Sequence, residues 1–462
     1  MTITPDLSTP SAAAARLEDL DRKHLIHPHQ SGERSDRCVI VRGEGCRVWD
    51  ARGNELLDVT GGGNWACQVG HGRQELADAA AEQIARLGYF SSFFELSNDK
   101  AIELGARLAT LAPEGLNRVY FTSGGSEGVE TSIKIARLYH HHRGQPDRNW
   151  IISRNLGYHG ATYGSGTATG WPMMHEGIGP NLPNVERVSP PYVYHSEMYG
   201  GQDPTDFLVD ELAKTIERIG PDKIAAMIGE PVMGGGGVLA PPDDYWPRVR
   251  ELLGRHGILL IADEVVTAFG RTGVWFDSGR RGMEADLVVT AKGITSGYQP
   301  LGAVLMRDEV AETIAGENAY FFHGHTYAGH PVTCAVALAN LDLIEREGLV
   351  ERAPRVGEWL GAGLAPAADL PQVGDIRVVG ATVGIELVVS KETREPLMAR
   401  NVVPELQAKH GVIVRDYGPT LVLSPSLVLT EDEAARAAGA LVEVLSRVDS
   451  AGQVAPAGRR AA

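Results

Sequence analysis

Apolar residues in the middle of the chain follow two rhythms. Short continuous runs bounded by turn-forming residues read as buried strands: NRVYFTS (117–123), NWIISR (149–154), IAAMIGEPV (224–232), GILLIADEVV (257–266), DLVVTAK (286–292) and LGAVLMR (301–307). Between them, SEGVETSIKIARLYHHHRG (126–144), TDFLVDELAKTIERIG (205–220) and DDYWPRVRELLGRHG (243–257) space their apolar positions near the helical period of about 3.6. Strands alternating with helices predict βαβ units, and strands without a polar face predict a mainly parallel sheet covered on both sides.

The pattern changes towards the C-terminus. Residues 332–364 read as one long helix, followed by the short strand-like runs VVGATVGIELVV (378–389) and GVIVRDYGPTLVLSP (411–425). CRVWDARGNELLDVT (46–60) has hairpin character and fits the same smaller α+β unit. The expected class is therefore α/β, with a large domain over 71–330. A smaller α+β domain is expected from both ends of the chain, 16–70 and 331–449. Residues 1–15 and 450–462 are small, polar and rich in Pro and Gly, and are expected to be loose.

Composition narrows the classes. A chain of 462 residues with a net charge of −16 disfavours nucleic acid or an anionic membrane as a partner. No apolar run reaches bilayer length, and the N-terminus lacks the features of a secretory signal. The four cysteines (Cys38, Cys46, Cys67, Cys334) have neither metal-site nor disulfide spacing, so reduced thiols and a cytoplasmic setting are expected.

Four stretches carry candidate chemistry. YFTSGGSEG runs from a strand through Gly125 and Ser126 into a helix, where free N–H groups and glycines suit an anion. Read structurally, Ser126 would be an N-cap with Glu130 supporting the first turn. Asp263 closes an apolar strand, where a carboxylate can hold a protonated ring nitrogen, a metal ion or the next turn; Glu230 closes another. Tyr158, beside His159, offers an aromatic face to a planar ligand. Lys292 directly follows DLVVTA, so its amine is either a surface group at a strand end or a buried amine kept uncharged and reactive. The His-rich patches at 140–142 and 323–325 lack HExxH or CxxC support, so no metal site is expected, and the first reads as solvated surface.

Together, a phosphate loop, a strand-end carboxylate, an aromatic plate and an isolated lysine are the parts that hold pyridoxal phosphate (PLP). With TSGGSEGVETSIKIAR, YHGAT, EPVMGGGGV, LLIADEVVTAFGRTG, TAKGITSGYQPLGAV and HGHTYAGHP in this order, residues 35–450 resemble the class III (ω-type) aminotransferases of fold type I. The likeness is greatest to the amine–pyruvate (ω-transaminase) branch.

That resemblance implies a Schiff base and proton transfer at Lys292, and a contact from Asp263 to the ring nitrogen. It also implies Val265 and Tyr158 on opposite ring faces, His159 and Glu230 near the ring, and phosphate contacts from Gly125 and Ser126. Thr326 would reach the phosphate of a second subunit, implying a homodimer with shared sites, with a tetramer left open. Trp65 and Phe93 would wall the substrate pocket, and Arg415 would pair with the carboxylate of a keto acid. By residue type alone, Trp65 and Phe93 read as core aromatics and Arg415 as a solvated arginine on an edge strand. The implied reaction is ping-pong transfer of an amino group from an amine or ω-amino donor to an acceptor such as pyruvate.

Two departures stand out. Ser424 occupies the place where ornithine- and 4-aminobutyrate-type relatives carry an arginine, and Gly128–Val129 replace Ala-Asn. A mutase, racemase or decarboxylase on the same scaffold, and a non-catalytic PLP-binding protein, are the alternative readings. An NAD-linked oxidoreductase lacks its glycine fingerprint.

Overall fold

The computed structural model describes residues 10–29, 37–317 and 319–456. The first three strands are β1 (Ile40–Glu44), β2 (Arg47–Asp50) and β3 (Glu55–Asp58). Seven follow: β4 (Arg118–Thr122), β5 (Trp150–Arg154), β6 (Val185–Val188), β7 (Ile224–Gly229), β8 (Leu259–Asp263), β9 (Leu287–Thr290) and β10 (Gly302–Met306). The last five are β11 (Val373–Val379), β12 (Thr382–Leu387), β13 (Val412–Ile413), β14 (Arg415–Tyr417) and β15 (Thr420–Leu423).

The middle seven form one sheet in the order β4-β10-β9-β8-β7-β5-β6. Only β10 runs against its neighbours, pairing antiparallel with β4 and β9. Every residue of β7, β8, β9 and β10 is buried, as a sheet covered on both faces requires. Strand β6, VERV, was not foreseen; it is a short edge strand whose polar pair hides the apolar signal.

Helix Gly125–His142 lies on this sheet, with Val129, Ile133 and Ala136 in a core shared with Ile228, Ile261 and Val289. The glycine early in this helix has a packing reason. A Cβ at Gly128 would lie 2.7 Å from Val289 Cγ1, so the helix can approach β9 only without one. At the other end of the helix, His140 is buried and its Nε2 lies 3.0 Å from the Ala225 carbonyl oxygen. That corrects the solvated-surface reading for His140; His141 and His142 are exposed.

Strands β2 and β3 form the expected hairpin, and β3 pairs parallel with β13 through Leu57 and Val412. A third sheet has the order β11-β12-β15-β14, leaving β14 at its edge. The long helix expected over 332–364 is two helices, Pro331–Arg346 and Leu349–Leu364, because Gly348 between them takes φ 61° and breaks the ladder. The expectation of a loose 1–15 also needs correction. A helix spans Pro10–His24, favoured by the alanine run and by the Lys23–Asp19 pair at 2.7 Å, while 1–9 lie outside the described residues. Of the C-terminal stretch, 457–462 lie outside them too, and Val448 and Val454 bridge the residues before.

Candidate active site

The carboxyl ends of the parallel strands gather the polar groups. Asp263 is the last residue of β8; its Oδ2 lies 2.7 Å from His159 Nδ1, and its Oδ1 accepts from the Val265 N–H at 3.1 Å. Both side chains are buried, and His159 Nε2 has no hydrogen-bond partner. The His159 backbone N–H donates to Thr169 Oγ1 at 2.9 Å, holding the main chain at this residue.

Glu230 follows β7 and accepts from the N–H groups of Tyr158 at 3.2 Å and Gly234 at 2.9 Å. The fully buried Arg154 donates to the Glu230 carbonyl at 2.6 Å, tying the end of β5 to the end of β7. Burial raises the Glu230 carboxyl above its ordinary range.

Lys292 follows β9 with φ 47° and opens the turn Lys292–Ile294, so its amine leaves the sheet edge in a backbone conformation that non-glycine residues rarely adopt. Its Nζ sits 5.3 Å from the centroid of the Trp65 ring. Burial pushes the ammonium down to about 8; the Asp263 and Glu230 carboxylates oppose that, and the Arg271 charge reinforces it.

The glycine turn after β4 leads into helix Gly125–His142, whose first turn has N–H groups without intrahelical acceptors. A Cβ at Gly125 would lie 3.0 Å from both γ carbons of Val265, and one at Gly160 would lie 2.6 Å from Ser126 Oγ. Val265, Gly125, Ser126 and Gly160 thus meet in a close cradle. Ser126 is not the helix cap, which is Gly124; its Oγ accepts from the Ala161 N–H at 3.2 Å. Nor does Glu130 serve the first turn of its own helix. It accepts from Thr162 Oγ1 at 2.6 Å and from the Gly164 N–H at 2.8 Å, bracing the segment after His159.

Aromatic rings close one side. Tyr158 lies 4.9 Å from Trp171, Trp171 5.9 Å from Tyr417, and Tyr417 5.0 Å from Trp65. Trp171 and Tyr417 escaped the reading of the sequence. Tyr417 had a signal, since it lies two residues beyond Arg415 on β14 and shares its face. Trp171 had none, because it reaches the wall from an irregular segment. Arg415 is exposed, and its Nε donates to the Gly63 carbonyl at 2.9 Å, beside the loop carrying Trp65.

Phe93 and Thr326 stand apart within one chain. Their segments hold each other, through Tyr89 Oη to the Thr326 carbonyl and Ser92 Oγ to the Ala328 carbonyl, both at 3.0 Å, with Phe93 against Gly324. The contacts described for them do not reach Lys292 or Asp263.

The family model for class III aminotransferases matches residues 29–445. The chain belongs to the class III aminotransferases. The aminotransferase is 39% identical over 430 residues to putrescine–pyruvate aminotransferase of Pseudomonas aeruginosa, covering 91% of this chain and 93% of that relative. Among solved structures, it is 44% identical to a thermostable (S)-enantioselective omega-transaminase from Thermomicrobium roseum, with a TM-score of 0.89 and coverage of 93% and 97% of the two chains. An amine transaminase from an uncultivated Pseudomonas species, solved in PLP-bound form, is 38% identical with a TM-score of 0.86, covering 90% and 97%.

Enzymes of this family depend on PLP, and the fold is that of fold type I transaminases. The residues present fit that cofactor. The orphaned His159 nitrogen, the buried Asp263, the side-chain-free cradle at Gly125 and Gly160, and an amine with a lowered pKa meet the needs of a flat, anionic, aldehyde-bearing group.

Proposed function

We propose that this aminotransferase moves an amino group from an amine or ω-amino donor to a keto acid such as pyruvate, with Lys292 as the reacting amine and proton carrier. The observation that carries this reading is the convergence of Lys292, Asp263, His159 and Glu230 at one sheet edge beside an aromatic wall. The donor class also rests on the likeness to a putrescine–pyruvate aminotransferase.

When bound, PLP supplies an aldehyde and an electron-withdrawing ring. Gly125 and Ser126 would hold its phosphate at a helix start, and Asp263, oriented by His159, would hold a proton on the ring nitrogen. Val265 and Tyr158 would pack against its ring. With the cofactor bound, the Nζ of Lys292 would take the proton from the amine-bearing carbon of the donor and, in the second half, deliver one to the carbonyl carbon of the keto acid, acting as base and then acid. Trp65 shields this exchange from water, and Glu230 orders the loop around it. Ketone or aldehyde leaves before the keto acid enters, so one Lys292 serves both halves of a ping-pong cycle. Arg415 pairs with the incoming carboxylate and stays on Gly63 for an uncharged amine.

Phe93 and Thr326 complete a site in a second copy of the chain under this proposal. The exposed aromatic surface around them supports a homodimer: Phe94 and Phe322 are 91% and 88% exposed, and Tyr320 and Tyr327 are exposed beside them. A cytoplasmic setting suits four unpaired cysteines.

Mixing the PLP-loaded protein with amine donor alone tests the function. An aminotransferase converts its full complement of cofactor to the pyridoxamine form, and pyruvate then restores it. A protein that turns over donor without that accumulation is a racemase, mutase or decarboxylase.

A further inference from the structure

Trp65 leaves the chain from a loop that the backbone resists. Gly61, Gly62 and Gly63 take φ 62°, 77° and 86°, and Trp65 itself takes φ 57°. Glycine reaches that region freely, but a tryptophan there is strained and persists only where its surroundings over-determine the conformation. The ring is buried all the same, its centroid 5.0 Å from that of Tyr417 and 5.3 Å from Lys292 Nζ.

The surroundings centre on Asp58, the buried last residue of β3. Its Oδ1 accepts from the Thr60 N–H at 2.8 Å and from the Thr60 hydroxyl. Its Oδ2 accepts from the Gly62 N–H at 2.6 Å, with His71 Nε2 at 3.4 Å. The Thr60 hydroxyl in turn accepts from the Gly63 N–H at 2.8 Å. One carboxylate therefore holds, directly or through one hydroxyl, the N–H groups of residues 60, 62 and 63. Burial pushes its carboxyl up, but hydrogen bonds from His71, Thr60 and Gly62 outweigh that and hold it below its ordinary range. Two acceptor oxygens turned to different donors are what an ionised carboxylate offers and an amide does not.

Other contacts close the loop around this anchor. The Trp65 N–H donates to the Thr60 carbonyl at 2.9 Å, and the Ala66 N–H to the Gly61 carbonyl at 2.8 Å. Behind it, Ser424 Oγ donates to the Thr60 carbonyl at 3.3 Å. The buried Arg271, which donates to the Pro425 carbonyl and to Gln68 Oε1 at 3.5 Å, stands against Gly61. The outer side of the loop faces β14, where Arg415 Nε donates to the Gly63 carbonyl at 2.9 Å and Tyr417 Oη to Asn64 Oδ1 at 3.4 Å. Gly63 is thus gripped at its N–H from within and at its carbonyl from without.

We propose that Asp58 is a positioning residue for the substrate pocket: it presets the strained loop so that Trp65 stands in the aromatic wall and the Gly63 carbonyl is presented to Arg415. The inference rests on the reading of Trp65 and Arg415 as pocket residues. Asp58 acts through the loop backbone, so its effect is read at Trp65.

The full-length, PLP-loaded enzyme is pulsed with hydroxyl radicals, and oxidation is quantified at each tryptophan by peptide mass mapping. Trp65 and Trp246 are 4% and 1% exposed, and Trp246, packed on Arg154, serves as the internal reference. Asp58→Asn keeps the shape but sets an amide N–H where a backbone N–H needs an acceptor. Trp65 oxidation is expected to rise about threefold or more with Trp246 unchanged. KM for putrescine is expected to rise about threefold or more while kcat changes less. Because losing a buried carboxylate can unfold the chain, Thr60→Val carries the test independently. It leaves Asp58 its two backbone donors and frees only the Gly63 N–H, and Trp65 oxidation moves in the same direction. Trp65 oxidation at the wild-type rate in every variant that folds, or a rise shared equally by Trp246, overturns the role of Asp58. A raised Trp65 rate with KM within about twofold of wild type keeps Asp58 as the anchor of the loop and overturns the reading of Trp65 as a pocket wall.

Discussion

His159 Nδ1 stands 2.7 Å from Asp263 Oδ2, with both groups sealed from water between the ends of β5 and β8. The contact leaves the carboxylate with a fixed direction. Its other oxygen is held by the Val265 N–H, so Asp263 is braced from two sides before any ligand arrives.

Asp263→Asn keeps the shape and removes the charge. The donor half-reaction, followed by cofactor absorbance in a single turnover, is expected to slow by at least about a hundredfold, with circular dichroism unchanged. A loss under about tenfold would remove Asp263 from its assigned role.

Lys292 gives a pH signature in the cofactor-free chain. Its folded pKa is lowered from 10.5 to about 8, so from about 8 to 10.5 the unfolded state binds more protons and stability rises with pH. Below about 8 the folded state carries the full penalty of a buried ammonium. Lys292→Met is therefore expected to be more stable than wild type at pH 7 and to lose that margin as pH climbs to 10.5. Urea unfolding at three pH values reads this directly; a margin independent of pH contradicts it. The same variant is expected to have no measurable turnover.

Arg415→Ala separates the two substrates. KM for pyruvate is expected to rise about tenfold or more, the scale of a charge-assisted pair, while KM for a neutral amine changes less than about threefold. Equal losses for both substrates would leave Arg415 as a surface residue docked on Gly63.

Phe322→Asp probes the exposed aromatic surface. Burying a phenyl ring is worth about 1.5–3 kcal/mol, so the association constant of a dimer covering it is expected to fall about tenfold or more. Sedimentation velocity and activity at matched dilutions are expected to decline together. A wild-type chain that stays monomeric at micromolar concentration while fully active refutes the shared site.

Gly128→Ala weighs propensity against packing. Alanine gains up to about 1 kcal/mol within a helix, whereas forcing a methyl into a filled core costs about 1–3 kcal/mol. With the added Cβ only 2.7 Å from Val289 Cγ1, the packing cost is expected to win. A lowered urea midpoint at unchanged m-value checks it; a raised midpoint shows that the helix can lift off β9.

The sequence by itself determined the alternation of buried strands and helices, and it named the groups at or just beyond the ends of those strands: Asp263, Glu230, Tyr158 and Lys292. Both follow from local physics, since continuous apolar runs require a sheet covered on two faces, and parallel strands carry their terminal residues to one edge. Tertiary structure alone decided the partners. Trp171 reached the aromatic wall from an irregular turn, Glu130 braced a segment more than thirty residues away, and Arg271 drew Gly61, Gln68 and Pro425 around one charge. No local pattern encodes such contacts, because they arise where separate segments exclude water together. The same reason makes Gly128 legible only in the fold: its missing Cβ is an empty position in the sequence, and only the approach of β9 gives that emptiness a use.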